Sequence, residues 1–328
     1  MMNSAPTPAI QVTGLGKSFG NHLVLDGIDL TVAEGSIFSL LGPNGAGKTT
    51  MVQILSTLIP ADAGRMQVAG HDVVTDAAGV RGAIGVTGQF SAVDNLLTGA
   101  ENLRLMTDLH HLGRSAGQRR VTELLERFEL TDAAAKPVST YSGGMRRRLD
   151  LAMTLVGTPR LIFLDEPTTG LDPRSRRTMW QSIRDLVADG VTIFLTTQYL
   201  DEADELADHV AVLDRGHIVA EGTPDELKRR IPGGHIQLQF PTPEALEAAA
   251  DLLQTTARDE DNLTLQVPGD GGVASLRRLF AQLDDAAIEV ADMSIHTPDL
   301  DDVFFAVTGH ATSDEATSDD ATQQKVAL

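Results

Sequence analysis

The sequence predicts an α/β fold built on a mostly parallel sheet, followed by a small α+β domain. Short apolar segments alternate with amphipathic stretches and glycine-rich turns from Ile10 to about Ile231, the pattern of strands joined by crossover helices. A Pro/Gly break, Arg230-Ile231-Pro232-Gly233-Gly234, interrupts this alternation, which then restarts on a smaller scale. At 328 residues the chain also exceeds one average domain.

The clearest strands are the apolar runs Ile37 to Leu41, Leu161 to Leu164, Val191 to Thr196 and Val210 to Leu213. Residues 95–158 contain no convincing strand but two or three amphipathic helices, one of them Gln118 to Glu129, and read as a helical insertion. The first domain is thus expected over 8–231 and the second over 235–309. In the second, strands at Ile236 to Phe240, Leu263 to Val267 and Ile288 to Ile295 alternate with helices at Pro243 to Leu253, Val273 to Leu283 and Leu300 to Val307. Residues 310–328 are acidic and poor in large apolar groups, which predicts a disordered tail. No motif is repeated along the chain.

Composition narrows the function. Aromatic residues are 4% of the chain, which leaves few rings to stack on bases. The net charge of -20 is concentrated late: residues 1–231 hold 22 basic and 28 acidic side chains, residues 232–328 only 4 basic against 18 acidic. Such a field repels nucleic acid and anionic lipid. The absence of cysteine excludes disulfides and thiolate chemistry. No run approaches the ~20 apolar residues of a spanning helix. The start MMNSAPTPAI has neither the basic nor the apolar region of a signal peptide, so a cytosolic location is expected.

The strand Ile37 to Leu41 runs into GPNGAGKT and then a helical stretch, the strand, loop and helix order of a phosphate-binding loop. Its residues are Gly42, Pro43, Asn44, Gly45, Ala46, Gly47, Lys48, Thr49 and Thr50. The glycines are expected to turn with φ > 0 and to aim N–H groups at phosphate oxygens ahead of a helix N-terminus. Lys48 would neutralise the β and γ phosphates of ATP, and Thr49 would offer a hydroxyl to Mg²⁺. A second motif, LIFLDEP, ends a buried strand in two carboxylates. Asp165 would hold Mg²⁺, usually through water, and Glu166 would polarise the attacking water. The competing reading is that both merely cap the helix expected near Pro173.

Over about residues 8–228 the chain resembles ATP-binding cassette proteins. The deciding residues are YSGGMRRR, Tyr141 to Arg148, which match the family's LSGGQ signature at Ser142, Gly143 and Gly144. The resemblance implies a P-loop NTPase of the ABC nucleotide-binding type with a helical subdomain. It implies that the signature cradle faces the γ phosphate held by a second copy, so that two copies sandwich ATP. It further implies that Phe19 stacks on adenine, that Gln89 reaches Mg²⁺ or the attacking water, and that Asp172 belongs to the loop crossing the dimer interface. A catalytic His is usual where this chain has Gln198, in TTQYLDEAD. Glutamine can donate and accept hydrogen bonds but cannot become cationic. Position five of the signature also departs, as Met145. The three arginines that follow, Arg146 to Arg148, cannot all face one ligand, since successive helical positions fan out by 100°; ion pairing on a solvated helix is the expectation for them, and contact with a membrane partner the alternative.

The combination of GQFSAVDNLLTGAENL, TYSGGMRRRLDLA, DPRSR, TTQYLDEAD and LDDVFFAVTG resembles the daunorubicin/doxorubicin-resistance type of exporter ATPase. That implies an integral membrane partner on another polypeptide, no nucleic-acid partner, and a peripheral position on the cytoplasmic face of the membrane. The alternative is a soluble ABC ATPase acting on ribosome or nucleic acid, which typically carries two cassettes. The second domain is expected to regulate or to stabilise the dimer. Asp299, Asp301 and Asp302 are expected to cap a helix rather than to bind a cation.

Overall fold

The computed structural model describes residues 8–88, 92–230, 234–255, 257–260, 262–269, 272–296 and 298–309. The chain divides into two compact units, one ending at Pro224 and the other beginning at Asp225.

In the first unit β1 (Ile10–Phe19) and β2 (His22–Val32) form a hairpin, followed by the buried strand β3 (Ile37–Leu41) and α1 (Lys48–Leu55). Next come β4 (Ala63–Val68), β5 (His71–Asp72), α2 (Ala77–Ala83) and β6 (Ile84–Thr87). Three helices then follow without a strand between them, α3 (Gly99–Leu109), α4 (Arg114–Arg127) and α5 (Gly143–Thr154), the helical insertion that the sequence predicts. The unit finishes with β7 (Leu161–Asp165), α6 (Pro173–Ala188), β8 (Thr192–Thr197), α7 (Leu200–Leu206), β9 (His209–Asp214) and β10 (His217–Gly222).

These strands make two sheets. The larger has the order β10-β9-β3-β8-β7-β6 and is parallel except for β10. Strands β3, β7 and β8 are buried at every position, which is why they read as unbroken apolar runs. Phe194 of β8 stacks on Phe38 of β3 and tilts against Phe163 of β7, each pair 5.4 Å between ring centres. Burying one such ring contributes about 1.5–3 kcal/mol.

The second sheet, β2-β1-β4-β5, is antiparallel and departs from the mostly parallel expectation. Its strands hide from a pattern search because β1 changes register between Val12 and Leu15 and again on either side of Lys17, which breaks the two-residue alternation.

Register within the larger sheet fixes the site. Leu41 pairs with Thr197 and Asp165 with Thr196, so the carboxyl ends of β3, β8 and β7 lie side by side. In parallel sheets the loops that leave these ends gather along one edge, where ligands bind.

The second unit contains α8 (Pro224–Arg230), which spans the division, then β11 (His235–Gln239), α9 (Pro243–Leu253), β12 (Arg258–Asp259), β13 (Thr264–Pro268), α10 (Val273–Asp285), β14 (Asp292–His296) and α11 (Leu300–Thr308). Its antiparallel sheet, β12-β13-β11-β14, packs Ile236, Leu238, Phe240 and Leu265 against Leu246, Leu279 and Leu283 of α9 and α10. The strand expected from Ile288 begins only at Asp292, because Ala287 turns left-handed (φ 53) and the Ile288 amide closes α10 onto Leu283. Asp299 and Asp302 exchange hydrogen bonds as a reciprocal helix cap, and among the described residues no group of three or more His, Cys, Asp or Glu side chains is placed to hold a metal ion. The tail from residue 310 lies outside the described residues. No helix among them is long and apolar enough to cross a membrane.

Candidate functional site

Strand β3 delivers the chain into the loop Gly42–Gly47, and α1 starts at Lys48. Gly47 precedes the helix with φ 114, and a Cβ there would meet Leu25 Cδ2 at 2.7 Å. Gly45 also has positive φ, but Gly42 does not. This corrects the expectation for Gly42: a Cβ on it would lie 2.3 Å from the Leu213 carbonyl oxygen of β9, so close approach to a neighbouring strand, not a left-handed turn, demands glycine.

Lys48 is buried, and its Nζ donates to the Gly42 carbonyl at 2.6 Å and the Pro43 carbonyl at 3.2 Å. Burial pushes its ammonium below the usual lysine range, while the carboxylates of Glu166 and Asp165 oppose the shift. The cleft here is lined by Val24, Pro43, Asn44, Gly45, Gly47, Lys48, Thr49, Thr50 and Glu166. Ala46 is buried behind it.

Asp165, the last residue of β7, is buried and accepts hydrogen bonds from Thr49 Oγ1 at 3.1 Å and from Thr196 Oγ1 at 2.5 Å. One carboxylate therefore joins α1, β7 and β8. Glu166 follows with φ 49, a left-handed conformation that costs a non-glycine residue of order 1–3 kcal/mol and is typically retained at functional sites. Its amide donates to the Thr196 carbonyl at 3.1 Å, and its side chain accepts from Thr169. Neither carboxylate caps the following helix. Asp172 does so, accepting from the amides of Arg174 and Ser175 and from the Ser175 hydroxyl, which holds its carboxyl below the usual range.

Ser142 caps α5 by accepting from the Met145 amide, and Ser142 and Gly143 are exposed. They do not line the cleft formed by their own chain. A Cβ on Gly144 would come within 2.6 Å of Ser175 Oγ, so the signature turn is packed against the start of α6. Tyr141 anchors that turn, buried and donating to the Ala133 carbonyl at 2.7 Å. Met145 packs against the core of the helical insertion.

The three arginines diverge: Arg148 forms an ion pair with the exposed Glu129, as expected of a solvated helix, but Arg147 does not. Arg146 bonds the carbonyls of Val138 and Ser139, and Arg148 bonds the Phe128 carbonyl and Glu129. Arg147 points inward and is buried. Its guanidinium donates to the carbonyls of Pro167 (2.9 Å), Gly88 (2.9 Å), Asp165 (3.1 Å) and Glu166 (3.4 Å). This overturns surface ion pairing for Arg147. Nothing in a local pattern reveals the role, since its partners lie about 20 and 59 residues away along the chain.

Gln198 follows β8 directly and is half-buried. Its turn is tied to α6 by Arg176, which forms a two-pronged bond to Asp201 and stacks on Tyr199 and Trp180. Phe19 ends β1, 52% exposed as a residue, with Lys17 Nζ 5.2 Å from its ring centre. It belongs to the hairpin whose Val24 lines the cleft. Gln89 lies outside the described residues.

Comparison with known proteins places the chain in a family. The family described as ABC transporter matches residues 25–169, and the family described as ATP-binding protein DrrA1-3-like, C-terminal domain, matches residues 222–308. The daunorubicin resistance ATP-binding protein DrrA3 of Streptomyces coeruleorubidus is 50% identical, over 92% of this chain and 96% of that protein. The daunorubicin/doxorubicin resistance ATP-binding protein DrrA of Streptomyces peucetius is 45% identical, over 99% of this chain and 100% of that protein. Among solved structures, a dimeric post-hydrolysis state of an ATP-binding cassette bound to ADP and Pi is 25% identical with a TM-score of 0.59, covering 65% of this chain and 98% of that one. The chain belongs to the ATP-binding proteins of ABC transporters, and among them to the daunorubicin-resistance group.

Proposed function

We propose that this chain is the ATPase subunit of an exporter that drives hydrophobic drugs or antibiotics through a separate membrane subunit, working at the cytoplasmic face of the membrane. The observation that carries this reading is the meeting of Lys48 and Thr49, at the start of α1, with Asp165 and Glu166, at the end of the buried strand β7. The names of the relatives support the choice of cargo.

In this reading the loop amides from Gly42 to Thr50 and the Lys48 ammonium hold the β and γ phosphates. Thr49 and Asp165, with Gln89, would hold Mg²⁺; oxygen donors that already converge to 3.1 Å suit a hard cation. The metal would neutralise phosphate charge when bound. Glu166 takes the proton of the attacking water, and Gln198 orients that water or the γ phosphate. Phe19 offers a ring face to adenine. Ser142 and Gly143, exposed and outside their own chain's cleft, would close with Gly144 over the nucleotide of a second copy, with Asp172 at the interface; the dimeric relative supports that pairing.

A groove between β6 and the helical insertion, lined by Leu58, Ile84, Val86, Met106, His110 and Met153 among others, would receive a cytoplasmic helix of the membrane subunit.

Replacing Glu166 by Gln tests the core of this reading. The variant is expected to hydrolyse ATP at least about 100-fold more slowly and to pair in MgATP but not in MgADP, as read by light scattering. Unchanged hydrolysis with no pairing would refute it.

Lys48 gives a pH-linked test. Its charged form is disfavoured by burial, so protonation costs stability at neutral pH, and the cost fades as pH rises through the lowered value towards the ordinary lysine range. Lys48→Met should therefore melt no lower than the native chain at pH 7 without nucleotide, yet lose the rise in melting temperature that MgATP produces. A retained rise would remove Lys48 from the phosphate site.

For Gln198, single-turnover hydrolysis should fall roughly 10- to 100-fold in Gln198→Ala and hold or increase in Gln198→His. Three equal rates would dismiss Gln198 as a participant.

A further inference from the structure

The Glu166 backbone is held from two sides. On one, its amide donates to the Thr196 carbonyl. On the other, Arg147 donates to the carbonyls of Asp165, Glu166 and Pro167 in succession. This span contains the left-handed residue, Glu166 with φ 49. A strained backbone persists only where its surroundings over-determine it, and three consecutive carbonyls gathered by one planar guanidinium supply that constraint.

Arg147 is itself fixed. It and Asp150 lie three residues apart on the inward face of α5 and approach to 3.4 Å, both buried. The same pair bonds the chain at two further points, Arg147 to the Gly88 carbonyl and Asp150 to the Ala92 amide. The helix that carries them begins at the exposed cap Ser142.

We propose that Arg147 is a positioning residue for hydrolysis: its fork sets the direction of the Glu166 carboxylate and couples it rigidly to the signature helix α5. It does not line the cleft beside Lys48. Its effect runs through Glu166, so the inference rests on Glu166 acting as proposed above. Charge alone is not sufficient, because a lysine ammonium is a single point that cannot span three carbonyls at fixed angles.

The test compares the full-length chain with Arg147→Lys, alone and combined with Glu166→Gln, measuring ATP affinity and single-turnover hydrolysis. Arg147→Lys is expected to bind ATP within about threefold of the native chain yet to hydrolyse it roughly 10- to 100-fold more slowly, the scale of a small misplacement of a reacting group. In the Glu166→Gln background the lysine substitution should cause no further slowing. A native rate in Arg147→Lys, a parallel loss of ATP affinity, or losses that multiply in the double variant would each overturn the inference. Arg147→Gln, which keeps two donors without a buried charge, carries the same comparison should the lysine variant not fold. A native rate in Glu166→Gln alone would instead bring down the general-base reading itself.

Discussion

One buried carboxylate holds the site together. Asp165 ends β7, and its oxygens take hydrogen bonds from Thr49 at the start of α1 and from Thr196 in β8. Three elements far apart in sequence are thereby locked at one edge of the sheet. The parallel register of β3, β8 and β7 makes this possible, because it brings the strand ends level before any side chain acts. Lys48, Thr49, Asp165, Glu166 and Gln198, which are proposed to meet phosphate, metal or water within one chain, all follow or end these strands.

Around this anchor the protein accumulates features that oppose its own stability. Lys48 is buried as a cation whose direct bonds are to loop carbonyls, and Glu166 adopts a backbone conformation unfavourable for its residue type. Arg147 brings a second buried cation, whose proton affinity burial lowers while Asp150, Asp165 and Glu202 sustain it. Such groups are retained where a ligand or a reaction needs them in place beforehand. A polyanion entering beside Lys48 would relieve part of this cost, which gives nucleotide binding a stabilising influence on the fold.

The parts legible in the sequence are those whose chemistry is contiguous. The phosphate loop, the Asp165-Glu166 pair and the signature cap at Ser142 each occupy a few consecutive residues, and the buried strands announce themselves as apolar runs. What depends on distant partners was not legible. Gly42 is glycine because of Leu213, Gly144 because of Ser175, and Arg147 is buried because carbonyls from two other segments converge on it. The antiparallel sheet escaped for a different reason: register shifts in β1 destroy the periodicity that would reveal it. In the second unit, the late start of β14 follows from a helix-closing turn at Ala287 that apolar pattern alone reads as strand.

The central claim is that a triphosphate seated on Lys48 is closed by Ser142 of a twin chain. Because the chain has no cysteine, a pair introduced as Asn44→Cys and Ser142→Cys reports on no other thiol. In a Glu166→Gln background, the account predicts an oxidative cross-link between two copies that forms with MgATP and not with MgADP. A link indifferent to nucleotide, or no link between copies at all, would contradict it.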